Sequence, residues 1–312
     1  MKIDEIARGI LEGDFRAISR AITLVENGSE DHTGREIIKR IYNQTGRAKI
    51  IGITGPPGVG KSTIAGNVAA ILKKNGRKVA VLAVDASSPF TNGTFLGNRI
   101  RMQDTLFKNG IFMRSLSTRG STGGLSTSVW DSVRILDAAG FDVIIIETVG
   151  AGQADLDILG IAHTILVVLA PGLGDEIQAI KAGIMEIASI FVINKMDRED
   201  SLIAIKDIED SLSLLPQGNW KVPVVGLDSI RIKGYEELIK MIDLHFGFSE
   251  SVPDKNERVL KEITEILRND FNTRIKKVVL KSRDEITKIE EGTDPYTIAD
   301  ELSKKIFNNS GI

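Results

Sequence analysis

Residues 49–63 read KIIGITGPPGVGKST, and the reading of this stretch decides the fold. A run rich in isoleucine ends in Gly55-Pro56-Pro57-Gly58-Val59-Gly60-Lys61-Ser62-Thr63, and Ile64, Val68 and Ile71 then recur at helical spacing. Strand, glycine-rich loop and helix in that order form the G-x-x-x-x-G-K-[ST] phosphate loop. Glycines let successive backbone N–H groups turn inward around phosphate oxygens, and the helix adds its positive N-terminal end. In this reading Lys61 reaches the outer phosphates and the Ser62 hydroxyl ligates Mg²⁺.

Outward from that loop, short apolar runs alternate with helical segments: KVAVLAV, FDVIIIET, TILVVLA, SIFVIN and VPVVG. Runs that are apolar throughout predict strands buried on both faces, as in a parallel sheet covered by helices. The fold class expected is therefore α/β, a P-loop NTPase sheet flanked by helices. Ligands of such sheets bind beyond the carboxyl ends of the strands. The polar signatures of this chain fall at those ends, one after another.

Asn194-Lys195-Met196-Asp197 follows the run SIFVI. An Asp in this setting accepts two hydrogen bonds from guanine N1 and N2. Adenine lacks that donor pair and would leave the carboxylate unmatched, a design that discriminates by about 10⁴ or more. Asp85 ends one run and Glu147 ends another, both candidates for holding Mg²⁺ beside a triphosphate. Gly150 would let the backbone approach the last phosphate, and Gln153 would orient the attacking water. The catalytic candidates are thus Lys61, Glu147 and Gln153. The loops at 86–98 and 118–124, rich in Ser, Thr and Gly, suit segments that order around a γ-phosphate.

The flanks read differently. Residues 1–46 form a helical extension, with Ile3, Ile6, Ile10 and Leu11, then Phe15, Ile18 and Ile22, then Ile37, Ile38, Ile41 and Tyr42 as apolar stripes, and Gly46 as the closing cap. Residues 47–250 form the P-loop domain. Residues 251–312 are helical and charged, with Leu260, Ile263, Leu267, Phe271, Ile275 and Val278 on one stripe and Asp294-Pro295 opening a last helix. His163, Trp130 and Trp220 read as packing residues.

Composition narrows the function. Forty basic and forty-two acidic residues leave a net charge of −2, without the basic excess of a general nucleic-acid binder. With no cysteine there is no disulfide, thiolate metal site or cysteine nucleophile, and three histidines make no histidine-rich metal store. No apolar stretch reaches the roughly 18 residues of a membrane span, so a cytoplasmic protein is expected.

Taken together, GDFRAISRAITLVENG, GITGPPGVGKST, VAVLAVDASS, LGNRIRM, TRGSTGGLS, FDVIIIETVGAGQ and IQAIKAGIMEIASIFVINKMD resemble the methylmalonyl-CoA mutase-associated GTPases of the MeaB/ArgK type, in the SIMIBI class of P-loop GTPases. The resemblance implies a GTP-binding, GTP-hydrolysing chaperone that uses GTP/GDP and Mg²⁺. Its partner would be an adenosylcobalamin-dependent acyl-CoA mutase, whose cofactor loading and protection it gates. It also implies a homodimer joined through the C-terminal helical arm, and a third nucleotide-sensitive loop from Asp175 to Lys181.

Two positions depart from the family pattern. Asn98 stands where the family has Asp in the metal surroundings. Leu227-Asp228-Ser229 replaces Thr-Ser-Ala near the guanine, making Asp228 and Ser229 the nucleotide-binding residues there. Rival readings are a nickel-insertion GTPase, which would carry histidine-rich tails or cysteine ligands, and a kinase or GTPase tied to transport of basic amino acids. A scaffold that binds GTP without appreciable turnover is the third.

Overall fold

A computed structural model describes residues 2–27, 33–85, 106, 109–117, 127–148, 161–172, 184–214, 219–248, 255–282 and 294–308. Among these, seven strands make one parallel sheet: β1 (Lys49–Thr54), β2 (Val79–Asp85), β3 (Phe112–Ser117), β4 (Val143–Thr148), β5 (Thr164–Leu169), β6 (Ile190–Asn194) and β7 (Val224–Leu227). Their spatial order is β3-β2-β4-β1-β5-β6-β7, so the strand feeding the glycine loop lies in the middle. Ile51 is in register with Ile145 on one side and with Thr164 on the other. Every residue of β4 and of β5 is buried, which is why the stretches 143–146 and 165–169 are apolar without alternation.

The sheet divides the core in two. On one face, Ile51 and Ile53 of β1 pack with Ile64 and Val68 of α4 (Lys61–Lys74) and with Leu238 and Ile242 of a helix near the end of this unit (Tyr235–Gly247). On the other face, Ile144 and Ile146 meet α1 (Ile3–Leu11), α2 (Phe15–Asn27), α3 (Thr33–Ile41) and α5 (Thr127–Ala138). The N-terminal helices therefore belong to the same core as the sheet. After these come α6 (Ile184–Ile187), α7 (Ser201–Ser213) and the Tyr235–Gly247 helix, α8.

Strand β3 is no continuous apolar run. Its sequence FMRSLS pairs only with β2, as an edge strand that buries Phe112 and Leu116 but leaves Arg114 and Ser115 partly exposed, so no unbroken apolar run is required. The N-terminal stripes are also narrower than spacing implies. Ile6, Ile10, Ile18, Ile22, Ile37 and Ile41 are fully buried, whereas Leu11, Phe15 and Tyr42 are each 47% exposed. Phe15 still meets Phe112 edge to face at 5.6 Å, and Tyr42 lies under the Arg134 guanidinium at 5.0 Å. The Gly13-Asp14 break works as a cap: the Asp14 carboxylate accepts from the N–H groups of Arg16 and Ala17 at 3.0 and 3.3 Å.

Helix α3 ends at Ile41, and a tight turn, Tyr42–Gln44, follows it. Gly46 (φ 96) therefore lies beyond the helix end instead of closing it directly. The chain from there into β1 is fastened by Asp137 of α5, whose buried carboxylate accepts from the N–H groups of Gly46, Arg47 and Ala48.

The chain divides into two compact units, residues 1–253 and 254–312. In the second, α9 (Lys255–Lys281) and α10 (Pro295–Asn308) contact each other. Asp294 caps α10, its carboxylate accepting from the N–H groups of Tyr296 and Thr297 at 3.0 and 3.1 Å. Along α9 the stripe of Leu260, Ile263, Leu267, Phe271 and Ile275 is 41–64% exposed. Among the described residues no helix is long and apolar enough to cross a membrane.

Candidate functional site

The site is built on the carboxyl edge of the sheet, where β1 passes into residues 55–60 and then α4. Gly60 caps α4 in the left-handed region (φ 98), and a Cβ there would stand 2.4 Å from Asn194 Nδ2. Only glycine satisfies both the dihedral angle and that contact. Gly58 is also left-handed (φ 78), but no heavy atom lies within 4 Å of the position its Cβ would take. The loop is thus clamped against its neighbour at Gly60 and open at Gly58, and its left-handed glycines suit the turning backbone that receives phosphate.

Lys61 is the first residue of α4, and its side chain is buried at 6% exposure. Its ammonium donates to the carbonyls of Gly55 and Pro56 at 2.7 and 2.9 Å. A buried cation needs such partners, and these hold it within the loop. The Ser62 hydroxyl donates to the carboxylate of Glu147, the penultimate residue of β4, itself 8% exposed. A hydroxyl and a carboxylate oxygen at the head of α4, beside the lysine, are the hard oxygen donors that Mg²⁺ takes together with phosphate. The residues present fit Mg²⁺·nucleotide. Pro56 and Val59 are buried; Pro57 and Thr63 are exposed.

The second half of the site comes from the end of β6. Asn194 is 3% exposed and its amide donates to the carbonyl of Val59 at 2.8 Å. Lys195 sits in the left-handed region (φ 63), unusual for a residue with a Cβ, and donates to the carbonyl of Gly58 at 2.9 Å. NKMD and the phosphate loop, far apart in sequence, are therefore joined at two points. The backbone N–H of Met196 donates to Leu227 O at 3.1 Å, which brings in the loop after β7. Asp197 lies exposed on this turn.

In the β7 loop, Ser229 donates to Asn194 Oδ1 at 2.7 Å. Asp228 behaves differently. Its carboxylate accepts from the N–H groups of Ile230 and Arg231 at 3.1 and 3.0 Å, and from the Arg231 guanidinium at 3.3 Å. The Arg231 backbone N–H, followed by the arginine charge, holds this carboxyl below the usual range. Asp228 is a turn-former within its own loop.

Two residues of this network escaped sequence reading. Tyr235, the first residue of α8, is 2% exposed and its hydroxyl lies 2.8 Å from Ser229 Oγ. Asn67 of α4 donates to that phenol oxygen at 3.0 Å and to Ser229 O at 3.2 Å. Neither stands in a short motif, so only the packing of α4 against α8 reveals them. The Asp85 side chain, Asn98, Gly150, Gln153, the loops at 86–98 and 118–124, and residues 175–181 lie outside the described side chains.

A parallel sheet with a glycine cradle at its central strand end, a buried lysine and a Ser–Glu pair defines a P-loop nucleoside triphosphatase. The chain belongs to the family described as "Methylmalonyl Co-A mutase-associated GTPase MeaB", which it matches over residues 18–283. As a member it is a GTP-hydrolysing enzyme. A Pyrococcus abyssi relative whose name places it among GTPases is 44% identical over 316 residues, spanning 98% of this chain and 97% of its own. GTPase ArgK of Escherichia coli is 34% identical over 241 residues, 75% of this chain and 73% of its own. The crystal structure of LAO/AO transport system kinase shares the fold, with a TM-score of 0.66 at 24% identity and 97% of both chains covered.

Proposed function

We propose that this GTPase binds Mg²⁺·GTP and serves as a chaperone for an adenosylcobalamin-dependent acyl-CoA mutase, coupling hydrolysis to loading and protection of the mutase cofactor. The observation that carries the nucleotide part is the joining of the phosphate loop to NKMD through Asn194 and Lys195. The mutase part is supported by the family description, matched over residues 18–283.

In this reading the backbone N–H groups of residues 55–60 and the Lys61 ammonium receive the β- and γ-phosphates. Ser62 and Glu147, with Asp85 and Asn98, would hold the metal. Mg²⁺ when bound neutralises charge that develops on the phosphate oxygens. Asp197 accepts from guanine N1 and N2, while Asn194, Lys195 and Ser229 hold the base pocket in place. Gly150 approaches the γ-phosphate and Gln153 orients the attacking water.

A homodimer joined by α9 and α10 completes the proposal. Support comes from the apolar stripe of α9, which is 41–64% exposed and so leaves hydrophobic surface for a partner. We place the protein in the cytoplasm, without nucleic-acid or membrane partners.

The test is single-turnover GTP hydrolysis with and without Mg²⁺ and with a purified adenosylcobalamin-dependent acyl-CoA mutase. Metal-dependent turnover that changes when the mutase is added, together with nucleotide-dependent co-elution of the two proteins, is expected. Turnover indifferent to the mutase, with no co-elution in any nucleotide state, overturns the chaperone assignment.

A further inference from the structure

Four polar side chains form one line across the base-binding half of the site, and the proton inventory fixes its direction. Ser229 Oγ donates its one hydrogen to Asn194 Oδ1 at 2.7 Å. It is therefore the acceptor in its 2.8 Å contact with the Tyr235 hydroxyl, which must donate. The phenol oxygen in turn accepts from Asn67 Nδ2 at 3.0 Å. Asn194, so oriented, presents its amide N–H to Val59 O at 2.8 Å.

Donation runs one way, from Asn67 through Tyr235 and Ser229 to Asn194, and ends on the phosphate loop. Asn67 sits in α4, the helix that the phosphate loop itself begins. The line is thus a closed brace: it leaves the loop along α4, crosses both base-binding turns and returns to the loop. Hydrogen bonds linked head to tail strengthen one another in a low-dielectric interior. Tyr235 is 2% exposed, and burial pushes its hydroxyl above the ordinary range, so it remains a neutral donor at physiological pH.

We infer that Asn67 and Tyr235 are positioning residues for base selection: they orient the Ser229 hydroxyl and the Asn194 amide, and thereby hold the guanine-binding turns at a set distance from the phosphate loop. They act through other residues and touch no substrate. The inference rests on NKMD being the guanine reader. A loosened brace should let the Ser229 hydroxyl and the Asn194 amide shift while the phosphate cradle, fastened within itself by Lys61 to the carbonyls of Gly55 and Pro56, keeps its shape.

The experiment measures binding of GDP and ADP, by calorimetry, to the full-length protein and to Tyr235→Phe, Asn67→Ala and the double variant. Tyr235→Phe keeps the ring and removes one donor, so its melting temperature is recorded beside its affinities. GDP affinity is expected to fall about two- to tenfold in each single variant, the range of one net hydrogen bond. ADP, which shares only the phosphates and ribose, should bind as in the wild type. The double variant should be little worse than either single one, because both cut the same line. Equal losses for GDP and ADP, or unchanged GDP affinity with a lowered melting temperature, reduce the brace to a packing element and overturn the inference. If the wild type itself binds ADP as well as GDP, the guanine reading fails first, a result separable from the others.

Discussion

Gly60 is where the phosphate loop, the start of α4 and the β6 turn meet. Its φ of 98 and the 2.4 Å approach of Asn194 Nδ2 leave no room for a methyl group. Gly60→Ala imposes a left-handed conformation costing roughly 1–2 kcal/mol and drives Asn194 off Val59 O. Nucleotide affinity is expected to drop at least tenfold, read by calorimetry with GDP. Asp197 gives the complementary test from the base side. Replacing its carboxylate by an amide reverses one donor–acceptor relation, so Asp197→Asn should favour xanthosine over guanosine nucleotides, by about tenfold or more for each. Competition binding of the two triphosphates checks this. An unchanged preference removes Asp197 from base recognition.

Two contacts at the level of elements have consequences of their own. The carboxylate of Asp137 gathers the N–H groups of Gly46, Arg47 and Ala48, fastening the chain between α3 and β1 to the end of α5. Asp137→Ala orphans these donors and should destabilise the first unit by about 1–3 kcal/mol, measured by denaturant unfolding. Also at the amino edge of the sheet, His245 of α8 is buried, with Nδ1 2.9 Å from the hydroxyl of Thr164, the first residue of β5, and its ring 4.8 Å from that of Trp220. Burial holds the imidazole below its usual value near 6.5. Between that value and the lowered one, the unfolded chain binds more protons than the folded chain, so stability declines as pH falls through this window. Unfolding at pH 7.5 and 5.5, followed by Trp220 fluorescence, should give a larger loss for the wild type than for His245→Gln. Equal losses would mean that His245 titrates alike in both states.

For the whole molecule, the proposed dimer contact belongs to the second unit. Helix α9 carries Leu260, Ile263, Leu267, Phe271 and Ile275 at 41–64% exposure, more apolar surface than a lone solvated helix needs. Removing residues 251–312 should convert a dimer into a monomer that still binds GTP, since the cradle and both base turns belong to the first unit. Light scattering reads the mass directly. The same mass per particle with and without the arm, after allowing for the deleted residues, rejects the dimer arm.

Local chemistry determined a large part of this protein from sequence alone. The central strands declare themselves because successive residues such as Ile144 and Ile145 are buried on opposite faces of the sheet, and burial on both faces demands unbroken apolar runs. The phosphate loop declares itself because a backbone that must bend through left-handed angles requires glycine at fixed spacing from Lys61 and Ser62. Other features were decided only by tertiary structure. Edge strand β3 answers to a single neighbour, so its composition is free to be polar. Asp228, beside Ser229 in sequence, directs its carboxylate to the N–H groups of Ile230 and Arg231 in its own loop. Tyr235 and Asn67 became site residues only when α8 packed on α4 and brought hydroxyl and amide within 3.0 Å. A side chain's spacing sets the element it belongs to, but a hydrogen-bond partner 168 residues away is set by the packing of the elements alone.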